Sequence, residues 1–436
     1  MYKITTTLLL ATCLLTGTLF GQSPAGNIVT SDLDNFWIAY DRIVQTPDSL
    51  ERLRLINELY INKGTAGLKG LIAARNYRDA EYVNAILSYP KYWNSVRANS
   101  AKIVQETAQI ENYYARFKSV YPELKPATVY FAVGVFRSPG TYQGDKVLMG
   151  AEFYLADQNA VLDELPERVQ RGMKAYMPYD VPLTALHESV HTQQKSWENQ
   201  SIIHLCVAEG VAEFLSILLA EKPLSPPVKF GKQNAERVLQ QYMKEILRDD
   251  DIWNWLWNQN QNELKENDLG YYIGYAICER YYDNATDKKQ AIKDLIELDY
   301  SDEKAFAAFV DGTKFLPMTI REIDQKYESL RPKVKKIREF KNGSQRVSPT
   351  QNVITLEFSE PMSPCCRSFD FDPAKAAKSL RVKQVLGWSE DKKRFSFEVE
   401  ALQPNTNYQL IISNFAKADG GNRLAPYVLE FKTKAQ

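Results

Sequence analysis

His187-Glu188-Ser189-Val190-His191 holds two of the three histidines in a chain of 436 residues. On a helix, residues four apart lie one turn above each other on one face, so both imidazoles can reach one cation. Glu188 stands beside them, placed to take a proton from a water at that cation. The flanks read as helix. Asp180 offers an N-cap, Pro182 falls in the first turn where no N–H is missed, and Leu183, Leu186 and Val190 make an apolar stripe that turns the histidines inward. Gln193, Gln194 and Lys195 are expected to end the same helix. The bland reading is an amphipathic helix with two core histidines, so the surrounding sequence has to decide.

A catalytic zinc takes three protein ligands and keeps a fourth position for water. Leu205 to Ala220 reads as a second, mostly apolar helix, with Glu209 and Glu213 four apart on one face. An acid buried there is costly unless paired or metal-bound. Glu209 is therefore the preferred third ligand, and Glu213 is expected to accept the free N–H of a ligand histidine. His204, in the stretch connecting the two helices, is the rival ligand; it also suits a substrate contact or the surface. The metzincin pattern is excluded, because Gln194 and Trp197 stand where it needs glycine and histidine. Further on, Gly270-Tyr271-Tyr272-Ile273-Gly274-Tyr275 reads as helix, with Tyr271 and Tyr275 on one face. A phenol there can donate to the oxyanion of acyl transfer without carrying charge, and the glycines permit close helix approach. An aromatic packing stripe is the other reading.

An H-E-x-x-H helix followed by Glu209-Gly210-Val211-Ala212-Glu213-Phe214 resembles the gluzincin clan of zinc peptidases. With the G-Y-x-x-G-Y element, the chain is similar over roughly residues 28 to 330 to the predicted zinc-dependent proteases of bacteria. The resemblance implies Zn2+ held by His187, His191 and Glu209, with Glu188 as general base. Glu213 takes the place of the clan's usual aspartate, a longer side chain for the same task. By the same resemblance Tyr271 is the favoured oxyanion donor, with Tyr272 and Tyr275 left open. The amide bond as substrate comes from the resemblance alone, since zinc-activated water also attacks other acyl and ester bonds.

Composition limits the rest. Lys plus Arg and Asp plus Glu number 54 each, giving no net charge, and no basic groove is visible, so nucleic acid is not an expected partner. Residues 1–21 read as a signal peptide: Lys3, then a largely apolar run from Ile4 to Phe20, with cleavage at Gly21-Gln22. Export to the periplasm or beyond is expected. Lipid anchoring through Cys13 is disfavoured, because that residue sits inside the apolar run. No later stretch reads as a transmembrane segment. Cys206, Cys278, Cys365 and Cys366 are too few for a disulfide-built fold; adjacent Cys365 and Cys366 are not expected to bridge without strain, and no pairing is assigned.

The chain thus reads as α+β and multidomain. A mainly helical, zincin-like peptidase domain (22–330) contains a small β-sheet from two runs, Thr128 to Phe136 and Lys146 to Tyr154, joined by a turn around Ser138 to Asp145. In such peptidases an edge strand holds the extended substrate; which strand is the edge is not legible. From residue 331 to 436, short alternating runs at Val334, Val347, 354–358, 394–399, 408–412 and 427–432 predict an all-β sandwich. It resembles the bacterial Ig-like domain through Ile354 to Met362, Leu402 to Tyr408, and Asp419-Gly-Gly-Asn422. The first functional reading is an exported zinc metallopeptidase acting on a peptide or protein. The alternatives are a catalytically silent peptidase scaffold whose Ig-like module engages glycan or protein, and a domain that needs zinc only to fold. Oligomeric state is not legible.

Overall fold

The structure, a computed structural model, describes residues 28–177, 180–196, 201–248, 251–257, 260–374, 377–419 and 421–435. The chain forms two units. One runs to residue 173 and takes in 177–192; the other comprises 174–176 and everything from 193.

In the first unit helices occupy most of 31–120, as their apolar periodicity predicts, ending in the long Ser100–Val120 helix. They surround a four-stranded sheet of β1 (Ile28–Val29), β2 (Thr128–Ala132), β3 (Gly140–Gln143) and β4 (Lys146–Gly150), in the order β1-β2-β4-β3. β1, β2 and β4 run parallel and β3 antiparallel to β4, so β3 is an edge. Two expectations are corrected here. The predicted strands stop at Ala132 and Gly150 rather than at Phe136 and Tyr154, and the expected turn contains the edge strand itself. Glu152 accounts for the early stops. It is fully buried in the helical turn Ala151–Tyr154, and its carboxylate accepts from the N–H groups of Gly134 (2.7 Å) and Phe136 (3.0 Å). Those donors are thereby lost to any ladder, and Phe136 is left at φ +63°.

The Val181–His191 helix closes this unit. Asp180 caps it through Leu183 N–H (3.0 Å) with Pro182 in the first turn, and Leu186 and Val190 are fully buried, as expected. It ends at His191, short of the predicted Lys195. Thr192 Oγ1 donates to the Ser189 carbonyl (2.7 Å), and the chain turns away. Fully buried Tyr114, on the Ser100–Val120 helix, meets the Ser189 hydroxyl from the opposite face.

The second unit begins with the Ile202–Ala220 helix. It starts three residues earlier than predicted and takes in His204, whose Nδ1 pairs with the Ser201 hydroxyl (2.8 Å). This helix is long and apolar enough to cross a membrane, contrary to the sequence reading that no later stretch approaches that; 83% of the qualifying window is buried within the fold. The Leu269–Asn284 helix packs on it backbone to backbone. A Cβ on Gly210 would lie 2.1 Å from the Gly274 carbonyl carbon, and one on Gly274 would lie 1.7 Å from the Cys206 carbonyl oxygen. Only glycine fits at either position. Cys206 and Cys278 are buried and free.

The sandwich follows. One sheet has the order β5 (Val334–Ile337), β6 (Val353–Phe358), β10 (Arg394–Val399), β9 (Val382–Trp388). The other has β12 (Tyr427–Lys432), β11 (Asn407–Ser413) and β7 (Ser368–Asp370), with β8 (Lys378–Ser379) parallel to β11. Ile354, Leu356 and Phe358 meet Phe395 and Phe397 in the core. Tyr408 Oη accepts from Gln403 N–H (2.8 Å), which closes the Leu402–Tyr408 corner. Val347 forms an isolated bridge to Thr433 instead of the expected strand, and Cys365 and Cys366, for which no pairing was assigned, are joined.

Candidate metal centre

The helix spacing does what the sequence implied. His187 is half-buried and His191 buried, and their Nε2 atoms face each other at 3.2 Å. Two nitrogens ~2.0–2.1 Å from one tetrahedral zinc stand about 3.3 Å apart, so this separation suits a shared metal. Among the described residues, His187, His191 and Glu209 offer ligand atoms that all lie within 4.8 Å of one another. Glu209 is 5% exposed on a mostly apolar helix. Two imidazoles and a carboxylate form a donor set that fits zinc and leaves a fourth coordination position.

Edge strand β3 lies against His191 and Glu188. Gly140 and Tyr142 share the face turned to the metal helix. A Cβ on Gly140 would sit 2.7 Å from Glu188 Oε1, so the carboxylate occupies the space a side chain would fill. The Tyr142 ring stacks on His191 with centroids 5.4 Å apart and planes 19° from parallel. Sequence reasoning missed both residues. The only available signal was a glycine two before an aromatic within a stretch taken for a turn.

His204 stands outside this group. Besides its Ser201 bond, its ring stacks on Phe306 (centroids 3.8 Å), and burial pushes its pKa down to about 4. It is a neutral core histidine. The three tyrosines also separate. Tyr272 (3% exposed) packs its edge toward Phe315, and Gly231 leaves room for its ring. Tyr275 (5% exposed) meets Phe214 edge-on under the Lys232 ammonium, and burial raises its pKa. Tyr271 alone of the three is partly accessible. Glu213, one turn past Glu209, is also half-buried.

Residues 180–302, which span both histidines, Glu188, Glu209, Glu213 and Tyr271, match the family described as predicted Zn-dependent protease. The match begins at the N-cap of the metal helix. Residues 330–433 match the bacterial Ig-like domain, in agreement with the sandwich. No curated protein matches the chain.

Proposed function

We propose that the protein is an exported zinc metallopeptidase. The observation that carries this reading is the His187–His191–Glu209 group, with Glu188 next to His187 on the same helix. When bound, zinc supplies Lewis acidity and brings the pKa of a water from ~15.7 toward ~7. Glu188 takes the proton of the attacking water and returns it to the leaving amine. Tyr271 donates its phenolic hydrogen to the carbonyl oxygen as negative charge develops there. Glu213 accepts a ring N–H from a ligand histidine and fixes its tautomer. β3 stands at the edge of its sheet, where an extended peptide can pair, with Gly140 beside Glu188. Support for export comes from the apolar run after Lys3.

The test is metal content of wild type beside His191→Ala and Glu209→Ala, followed by peptide hydrolysis with Glu188→Gln as control. One zinc per wild-type chain, absent from both ligand variants, is expected, with hydrolysis abolished in Glu188→Gln while its zinc stays. Zinc retained by Glu209→Ala would remove the ligand set. A zinc-loaded wild type that hydrolyses no peptide in a broad library would leave a silent scaffold.

A further inference from the structure

Hydrogen bonds tie the Ig-like module to the helical part of its unit. Asn422, 4% exposed, donates from Nδ2 to the Leu247 carbonyl (2.6 Å). Arg248 Nη2 reaches the Asp419 carbonyl (3.2 Å). Leu247 lies just past the Ala235–Glu245 helix, where carbonyls no longer have intrahelical donors. A side-chain amide from the module supplies the missing donor to Leu247.

Glu245, the last residue of that helix, is a buried carboxylate with several donors. Its Oε2 accepts from Trp255 Nε1 (2.8 Å), Asn254 Nδ2 (3.2 Å) and Asn262 Nδ2 (3.2 Å), and its Oε1 from Gln241. A buried acid so satisfied holds its partners rigidly, because each would be left unpaired if it moved. Trp255 is fully buried, and its carbonyl accepts the N–H of Gly270 (2.8 Å). A Cβ on Gly270 would fall 2.7 Å from that oxygen, so the two backbones are locked together. The next residue is Tyr271.

We propose that Asn422 is a positioning residue, through which the Ig-like module braces the start of the Tyr271 helix by way of Leu247, Glu245 and Trp255. The module is then a working part of the hydrolase and not a tether. The effect on turnover rests on the proposed role of Tyr271; the mechanical coupling does not.

The full-length protein carries the test, with Asn422→Ala and Glu245→Gln made singly and together. Amide hydrogen exchange at Gly270 reads the coupling without needing activity. Each single variant is expected to speed that exchange about tenfold, the scale of one lost buried hydrogen bond. The double variant is expected to exceed either single variant by less than the product, since both cut one chain. kcat is expected to fall in parallel with KM and zinc content unchanged, whereas Leu386→Ser, on the exposed part of β9, moves neither. Unchanged Gly270 exchange in Asn422→Ala, or effects that multiply independently, would overturn the proposal. Should Asn422→Ala not fold, Arg248→Ala cuts a second tie and takes its place. A wild type without peptidase activity would count against the function alone, and the exchange results would still decide the coupling.

Discussion

Gly140→Ala displaces Glu188 without touching any proposed metal ligand. The added Cβ would lie 2.7 Å from Oε1, 3.1 Å from Cγ and 3.2 Å from Cδ of Glu188. Comfortable separation is ~3.5 Å or more, so the carboxylate must retreat by roughly 0.5–1 Å. A misplacement of about 1 Å in a catalytic group costs on the order of 10²-fold in rate, or about 2.7 kcal/mol. The backbone at Gly140 is not left-handed, so alanine adds no strain of its own. The expected result is a kcat lower by about 10- to 100-fold, KM within a few-fold of wild type, and one zinc per chain. Steady-state hydrolysis of a peptide cleaved by the wild type, with metal analysis of the same samples, measures all three. Gly172→Ala is the control, because nothing lies within 4 Å of its added methyl. Full activity in Gly140→Ala would refute the placement of Glu188 as the base beside the edge strand.

Tyr271→Phe is expected to lower kcat by about 10²–10³-fold with little change in melting temperature. Tyr275→Phe, deep in the packing against Phe214, should leave kcat nearly untouched; the reverse ranking in rate assays would exchange the two roles. His204 is neutral in the folded protein down to about pH 4, whereas an unfolded histidine protonates near 6.5. Between those values the unfolded state binds the extra proton, so stability must decline as pH falls from 6.5 toward 4. Melting curves of His204→Phe should show a shallower decline than wild type; parallel curves would contradict the assignment. Glu152 has the opposite sign, since burial lifts its pKa from 4.5 to about 7. Its contribution is complete below pH 4.5 and is lost as pH rises through 7. Glu152→Gln should remove that alkaline-side loss in urea titrations at pH 5 and 8, although its amide serves the Gly134 and Phe136 donors less well.

What could be read from the sequence depended on where periodicity carried information. The cap, stripe and spacing of 180–191 follow from local rules, and the structure reproduces them apart from the terminus. Gly274 does permit a close helix approach, though to the Ile202–Ala220 helix, whereas Gly270 chiefly meets Trp255 and Leu256. β3 was invisible for a physical reason. It is four residues long and no position in it is buried, so it shows no alternation of apolar and polar residues. β9 escaped in the same way, with Lys383, Gln384 and Gly387 breaking the pattern. His204 was ambiguous because a helix start cannot be placed to within a turn from sequence, and its ring is fixed by Phe306, about a hundred residues away. The choice among the three tyrosines likewise depended on burial against partners such as Phe315 and Phe214, which no local pattern reveals.

The backbone contact at Gly210 and Gly274 has a consequence for anyone classifying relatives of this chain. Each glycine is adjacent in sequence to a residue of chemical interest or within a turn of one, yet its hydrogen atom is demanded by helix packing alone. A descendant that lost its histidines or Glu209 would still need both glycines to stay folded. The glycine positions of the E-G-x-A-E-F and G-Y-x-x-G-Y signatures therefore diagnose architecture. The proposed hydrolase activity depends instead on the occupants of positions 187, 188, 191, 209 and 271.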